Sequence, residues 1–141
     1  MQTTAVGATA ATPEGGAVVP ASGYSSQVVS IAMSYIGTPY VWGGASPGGF
    51  DCSGLVMYSF AQLGISLPHS PYALWNYGTP VPSDQLQPGD MVFFDGLGHV
   101  GLYIGGGEFV DAPYTGAFVR VDSLTTGWAA ANYDGARRIT T

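Results

Sequence analysis

The 141-residue chain contains no lysine, and its three arginines all lie at or beyond position 120. Only 9% of its residues are charged, and nine acids against three arginines give a formal net charge of −6. Binding a phosphate backbone requires clustered positive charge, so nucleic acid is a poor partner for this chain. The same lack disfavours adhesion to anionic lipid, and no apolar run is long enough to span a bilayer, so no membrane insertion is expected. A secretory signal opens with a basic segment, and with no basic residue before Arg120 none is read here. Cysteine is nearly absent as well. Cys52 stands alone, which excludes an internal disulfide and leaves the redox compartment open. With only His69 and His99 as histidines, a protein-bound zinc site would need both of them and Cys52 to converge, so neither a metal nor another cofactor is expected.

What is present supports one domain with an ordinary core, since 46% of the residues are hydrophobic. Residues 1–23 are mostly Ala, Thr, Gly, Pro and Val, which is linker composition. They read as a poorly ordered tether from a longer precursor, followed by a folded domain over residues 24–141. Ser25 or Ser26 can cap a helix whose apolar face is Val28, Ile31, Ala32, Tyr35 and Ile36, ending at Gly37. The following stretch, residues 40–49, is aromatic and then rich in glycine, which suits close approach of backbone to another surface. Its glycines match neither the P-loop nor the dinucleotide-binding pattern, so it is not read as a phosphate cradle. Residues 65–71 read as a loop by their prolines, and short strands are expected at Met91–Phe94, His99–Ile104, Glu108–Ala112, Phe118–Asp122 and Ala136–Ile139.

The chain is organised around Phe50-Asp51-Cys52-Ser53-Gly54-Leu55-Val56. Leu55, Val56, Phe60 and Leu63 recur at helical spacing, Asp51 is the natural N-cap, and Gly64 suits the stop. Cys52 then falls in the first helical turn, where free N–H groups and the helix dipole favour negative charge. Thiolate is the nucleophilic form of cysteine, and such positions promote it. Further on, His99 opens a strand, and a turn at Gly105-Gly106-Gly107 brings Asp111 back diagonally across from it. The face that Asp111 takes depends on a register in which one residue of slip inverts it. Together these are the parts of a Cys-His-acid unit. Cys52 would attack an amide carbonyl, His99 would hold the thiolate and protonate the leaving amine, and Asp111 would orient the imidazole. The N–H of Cys52 and the hydroxyl of Tyr40 are candidate oxyanion donors. Each residue also has a plain structural reading: a small buried hydrophobe, a strand-end histidine held by a carbonyl, and a solvated carboxylate near a turn.

Five blocks in order carry a resemblance: Pro39-Tyr40-Val41-Trp42-Gly43-Gly44, the Cys52 stretch, Leu67-Pro68, Leu86-Gln87-Pro88-Gly89-Asp90-Met91-Val92-Phe93-Phe94, and Gly98-His99-Val100-Gly101-Leu102-Tyr103-Ile104. From about Ser25 to Ile139 the chain resembles the NlpC/P60 family of cell-wall cysteine peptidases. The resemblance implies an α+β, papain-like fold, with N-terminal helices packed on an antiparallel β-sheet. It also implies hydrolysis of a peptidoglycan stem-peptide bond, commonly between D-γ-glutamate and a diamino acid such as meso-diaminopimelate. By position, Cys52 is the nucleophile, His99 the base and Asp111 the third polar residue. Tyr40, Asp51 and Ser53 match positions that line the family's substrate cleft and oxyanion region, and Trp42 and His69 are further candidate substrate-binding positions, His69 having a solvated or loop-packed histidine as its plain reading. Two features depart from the family pattern. The third position is often His, and after Leu67-Pro68 the family often has Arg and later Gln, where this chain has His69 and Leu74. The resemblance and the tether together imply a monomeric domain of a secreted, wall-acting parent protein. Competing readings are a silent peptidoglycan-binding module and amidase or transpeptidase chemistry in the same cleft.

Overall fold

The alternation of apolar residues along the strands divides the domain into two packed faces. Alternation in the strands sends Met91, Phe93, Val100, Leu102 and Val110 to one face, and Val92, Phe94 and Phe109 to the other. The first face is covered by helices. The computed structural model describes residues 23–140, so the expected tether lies outside the described residues except for Gly23.

Helix α1 (Gly23–Met33) and helix α2 (Cys52–Ala61) pack together, and α2 lies across strand β5. Between them, β1 (Ala45–Ser46) and β2 (Gly49–Phe50) form a small hairpin inside the glycine-rich stretch. After α2 come α3 (Pro71–Leu74), β3 (Thr79–Val81) and a single 3₁₀ turn at Ser83–Gln85. The chain finishes with β4 (Met91–Phe94), β5 (His99–Gly105), β6 (Glu108–Asp111), β7 (Arg120–Ser123), α4 (Gly127–Asn132) and β8 (Tyr133–Arg138). The six-stranded sheet runs β3-β8-β4-β5-β6-β7 with every neighbouring pair antiparallel. This is the expected α+β architecture.

The helical face of the sheet buries Phe50, Leu55, Val56, Phe60, Met91, Phe93, Val100 and Leu102 completely. Full burial of a side chain of this size contributes about 2–3 kcal/mol, so the α2–sheet interface is the main source of stability. The opposite face is covered in part by α4, whose Ala129 joins Val92, Phe94, Phe109 and Ala136.

Helix α1 differs from expectation. It begins at Gly23 rather than after a Ser25 or Ser26 cap, because tertiary contacts hold its first turn: the Tyr24 ring lies 6.2 Å from that of Phe60, and Ser25 is buried. It also ends at Met33 and continues as turns, which leaves Ile36 exposed. Helix α2 ends as its sequence suggests, with the N–H groups of Gly64 and Ile65 closing on the carbonyls of Ala61 and Phe60.

Candidate active site

The head of α2 is held by one carboxylate. Asp51 is extended at φ −95°, ψ −176°, and its Oδ1 accepts from the N–H of Gly54 at 2.7 Å. Its Oδ2 accepts from the N–H of Gly43 at 3.0 Å, and His69 Nε2 meets Oδ1 at 2.7 Å. A single N-cap thus ties the glycine-rich loop, the helix start and the Pro68-His69 loop around the residue that follows it, Cys52. Three bonds on one side chain make Asp51→Ala expensive. It is expected to cost about 2 kcal/mol, at the upper end for lost caps, and to reduce turnover by releasing Cys52, as read by thermal melts beside peptide-cleavage rates.

The sheet supplies the second part. Pairing of Leu102 with Val110 and of Tyr103 with Phe109 sets Gly101 opposite Asp111, so His99 and Asp111 share a face. A β-carbon at Gly101 would crowd the Phe109 ring and the Asp111 side chain, and its absence lets them lean over the strand. His99 Nε2 and Asp111 Oδ2 are 2.7 Å apart and both residues are buried. Their hydrogen bond leaves Nδ1 as the ring nitrogen available to a thiol.

Cys52 stands beside that imidazole. Burial pulls the His99 pKa down, but the hydrogen bond to Asp111, the adjacent Cys52 sulfur and the charges on both outweigh it. The result is a rise from 6.5 to about 9. Burial pushes the Asp111 carboxyl up, and the facing Asp122 adds to that while His99 opposes it. The buried pair titrates as a unit, and the hydrogen bond to Asp111 favours the protonated imidazole. Because the folded pKa lies above the unfolded one, this contribution to stability is complete below pH 6.5 and is lost as pH rises through about 9. The alkaline limb of kcat/KM is therefore expected near pH 9. Asp111→Asn removes the charge that opposes burial and should move this limb downward, with a drop in rate of about tenfold or more. A pH–rate profile unchanged by the substitution would remove Asp111 from the unit.

Other expected residues divide into two groups. Tyr40 is held by its N–H on the Ala117 carbonyl and by bridging to Phe50. Burial, then the charges of Cys52 and Asp51, raise its pKa, which keeps the phenol protonated. Asp51 and His69 are joined to each other rather than free for a ligand. Ser53 is buried within α2, and the Trp42 side chain projects from the domain at 85% exposure. Sequence reasoning did not single out Trp128 of α4, whose ring centroid is 6.0 Å from that of His99, nor Arg120 and Asp122 on the strand beside Asp111. Alternation along Arg120-Val121-Asp122 was the available signal for the latter two. Among the described residues, no three His, Cys, Asp or Glu side chains are grouped to hold a metal ion, and no helix is long and apolar enough to cross a membrane.

A cysteine at a helix N-terminus, a buried imidazole oriented by a carboxylate and a phenol donor form an arrangement suited to acyl transfer through a thioester. The comparisons with known proteins point the same way. The chain is 52% identical over 102 residues to a probable endopeptidase of Mycobacterium tuberculosis, covering 72% of this chain and 26% of that protein. It is 42% identical over 117 residues to the peptidoglycan endopeptidase RipA of the same organism, covering 72% and 25%. This chain therefore spans about a quarter of the length of these relatives. Its fold superposes on the crystal structure of an NlpC/P60 family protein from Bacillus cereus with a TM-score of 0.79 at 32% identity, over 83% of this chain and 40% of that one. Residues 37–138 match the NlpC/P60 family itself, so the chain belongs to the NlpC/P60 family, with its α+β, papain-like fold.

Proposed function

We propose that this domain is a cysteine endopeptidase that hydrolyses a stem-peptide amide bond in peptidoglycan, between D-γ-glutamate and meso-diaminopimelate. The observation that carries the reading is the buried 2.7 Å bond between His99 and Asp111 with Cys52 beside the same imidazole. The Cys52 thiolate attacks the carbonyl carbon. The oxyanion accepts from the N–H of Cys52, which as the first residue of the helix has no intrahelical partner, and from the Tyr40 hydroxyl. His99 gives its proton to the departing nitrogen as the C–N bond breaks, leaving a thioester on Cys52. Water then attacks the thioester with His99 as base, releasing the acid and the thiol.

Peptidoglycan as the substrate class is supported by the similarity to RipA, a peptidoglycan endopeptidase. A chain of net charge −6 has no electrostatic attraction to an anionic wall, which favours delivery by tethering, from a secreted parent protein, over free diffusion. The test is digestion of purified muropeptides followed by mass spectrometry. Cleavage at one stem bond, with the new amine on the diamino acid, is the expected result. Binding without any product would overturn the reading in favour of a silent module.

A further inference from the structure

His99 borders two different spaces. Cys52 stands beside it at the head of α2, yet the imidazole and Asp111 also line a cavity of about 650 Å³ among whose walls Cys52 is not found. Water in this cavity reaches the pair from behind. Even so, only 11% of the His99 side chain and 3% of the Asp111 side chain are exposed. The bond between them has a weak point: among the described residues, the buried Asp111 Oδ1 has no hydrogen-bond partner. A water molecule that entered would find an acceptor there and compete for the carboxylate.

The wall on the cavity side is Trp128. The rings of Phe94, His99 and Trp128 form a closed triangle, with centroids 5.8 Å apart from Phe94 to His99, 5.8 Å from Phe94 to Trp128 and 6.0 Å from His99 to Trp128. Phe94 pairs with His99 across β4 and β5 and is fully buried, so it is the inner wall and the indole the outer one. The indole and imidazole planes meet at 76°, an edge-to-face contact that also attracts an imidazolium. Both ends of α4 are tied down. The Thr126 hydroxyl, just before the helix, donates to Ser123 Oγ at 3.0 Å, and the Asn132 carbonyl at its end accepts from the N–H of Asp95 at 2.9 Å. Asp95 in turn begins the turn that leads into His99. Ala129 is the α4 residue inside the apolar cluster, whereas Trp128 is 53% exposed. A large ring left half in water is a poor core residue, and its contact with the imidazole is what it contributes.

We propose that Trp128 is a positioning residue of the catalytic unit: its indole closes the cavity side of the His99 imidazole, keeping the bond to Asp111 dry and Nδ1 turned to Cys52. The effect on turnover rests on the peptidase reading above; the effect on the imidazole does not. Behind an aromatic wall the bond to Asp111 is held in a setting of low polarity, where it is strongest. Without the wall, water reaches the bond and the ring gains room to turn into the cavity, which carries Nδ1 away from the sulfur. Displacement of a catalytic group by about 1 Å can cost about 100-fold in rate, so a residue that touches no reacting atom can still govern kcat.

The experiment compares the parent with Trp128→Ala and Trp128→Phe, each labelled with ¹⁵N-histidine. The chain has only two histidines, and His69→Gln assigns their signals. In the parent, the proton on His99 Nε2 is expected to exchange slowly with water and to give a resolved downfield N–H resonance. Trp128→Ala is expected to speed that exchange about tenfold or more, and Trp128→Phe to restore most of the protection, as an aromatic wall of smaller area would. Alkylation of Cys52 by iodoacetamide at neutral pH should slow about tenfold in Trp128→Ala and recover in Trp128→Phe, because the imidazole is the base that takes the thiol proton. On muropeptides, Trp128→Ala should lower kcat about tenfold or more with KM within about twofold of the parent. Melting curves confirm folding; should Trp128→Ala fail to fold, Trp128→Leu, which keeps an apolar contact with Phe94 but is too small to cover the imidazole, takes its place with the same expectations. A parent whose His99 proton already exchanges freely, or a folded Trp128→Ala with unchanged exchange and alkylation, would overturn the proposal. A higher KM at constant kcat would also overturn it, by setting the indole against the ligand instead. A parent that cleaves nothing, while exchange and alkylation respond to Trp128 as expected, would overturn the peptidase reading and leave the positioning role standing.

Discussion

Cys52→Ala is expected to lower cleavage of muropeptides by about 10⁵-fold or more in kcat, the scale on which loss of a nucleophile in a catalytic unit is felt. The residue is the chain's only cysteine, and the neighbouring groups offer no substitute. Tyr40 has its pKa raised by burial and by the charges of Cys52 and Asp51, so its phenol is a poor nucleophile. Ser53 is buried in the helix. On the proposed mechanism, loss of the sulfur leaves His99 and Asp111 with nothing to activate but water. Cys52 is only partly buried and its side chain is small, so stability should change by less than about 1 kcal/mol. The check is product formation by mass spectrometry beside thermal melts of both proteins. Residual turnover within tenfold of the parent would place the nucleophile elsewhere.

Gly54→Ala is expected to have the largest effect on the fold. A β-carbon at Gly54 would collide with the backbone carbonyl of Gly44 and lie 2.8 Å from Asp51 Oδ1. Neither obstacle can retreat. The Gly44 carbonyl accepts from the Asp51 N–H at 2.9 Å, and Asp51 Oδ1 accepts from Gly54 itself and meets His69. Overpacking usually costs 1–3 kcal/mol, and with rigid main chain on the opposing side the expected loss is about 3 kcal/mol or more. In a domain of this size that lowers the melting temperature by about 10 °C. Activity should fall with it, since relief of the clash must push the glycine-rich loop away from Cys52. Gly48→Ala is the control: its added carbon meets nothing within 4 Å at a φ that an L residue tolerates, so its melt should match the parent's. Equal melts for both variants would show that α2 and the loop are not in the contact described.

How far the sequence could be read depended on how local the determining interactions are. Helix α2 was legible at both ends because the bonds that close it, from the Gly54 N–H to Asp51 and from the Gly64 N–H to the Ala61 carbonyl, each span three residues. The β5–β6 hairpin was legible to within a residue, and the ambiguity was one that turn sequence cannot remove: the irregularity between Tyr103 and Gly105 shifts pairing by one, and side-chain facing inverts with each such shift. Strand β3 carries Pro80, which marks it as an edge strand but weakens its signal. Helix α4 has an unremarkable sequence, Gly-Trp-Ala-Ala-Ala-Asn, and no side-chain cap. It is stabilised by laying Ala129 and Trp128 on the far face of the sheet, an interaction with residues remote in the chain. Ser25 lies inside α1 rather than at its cap for the same reason, since Gly89, remote in the chain, packs against it.

By itself, the order of residues determined the element types, the capping of Cys52 at a helix head, the shortage of cations and the set of groups from which a thiol-dependent site can be built. These follow from hydrogen bonds and periodicities that span a few residues. Tertiary structure alone decided that His99 and Asp111 face the same side, that His69 is occupied by Asp51, and that Arg137 reaches the Trp75 carbonyl and Arg138 the Asp90 carboxylate. The reason is geometric: which partner a charged side chain finds depends on which distant strand or loop arrives beside it, and only the register of the assembled sheet sets that.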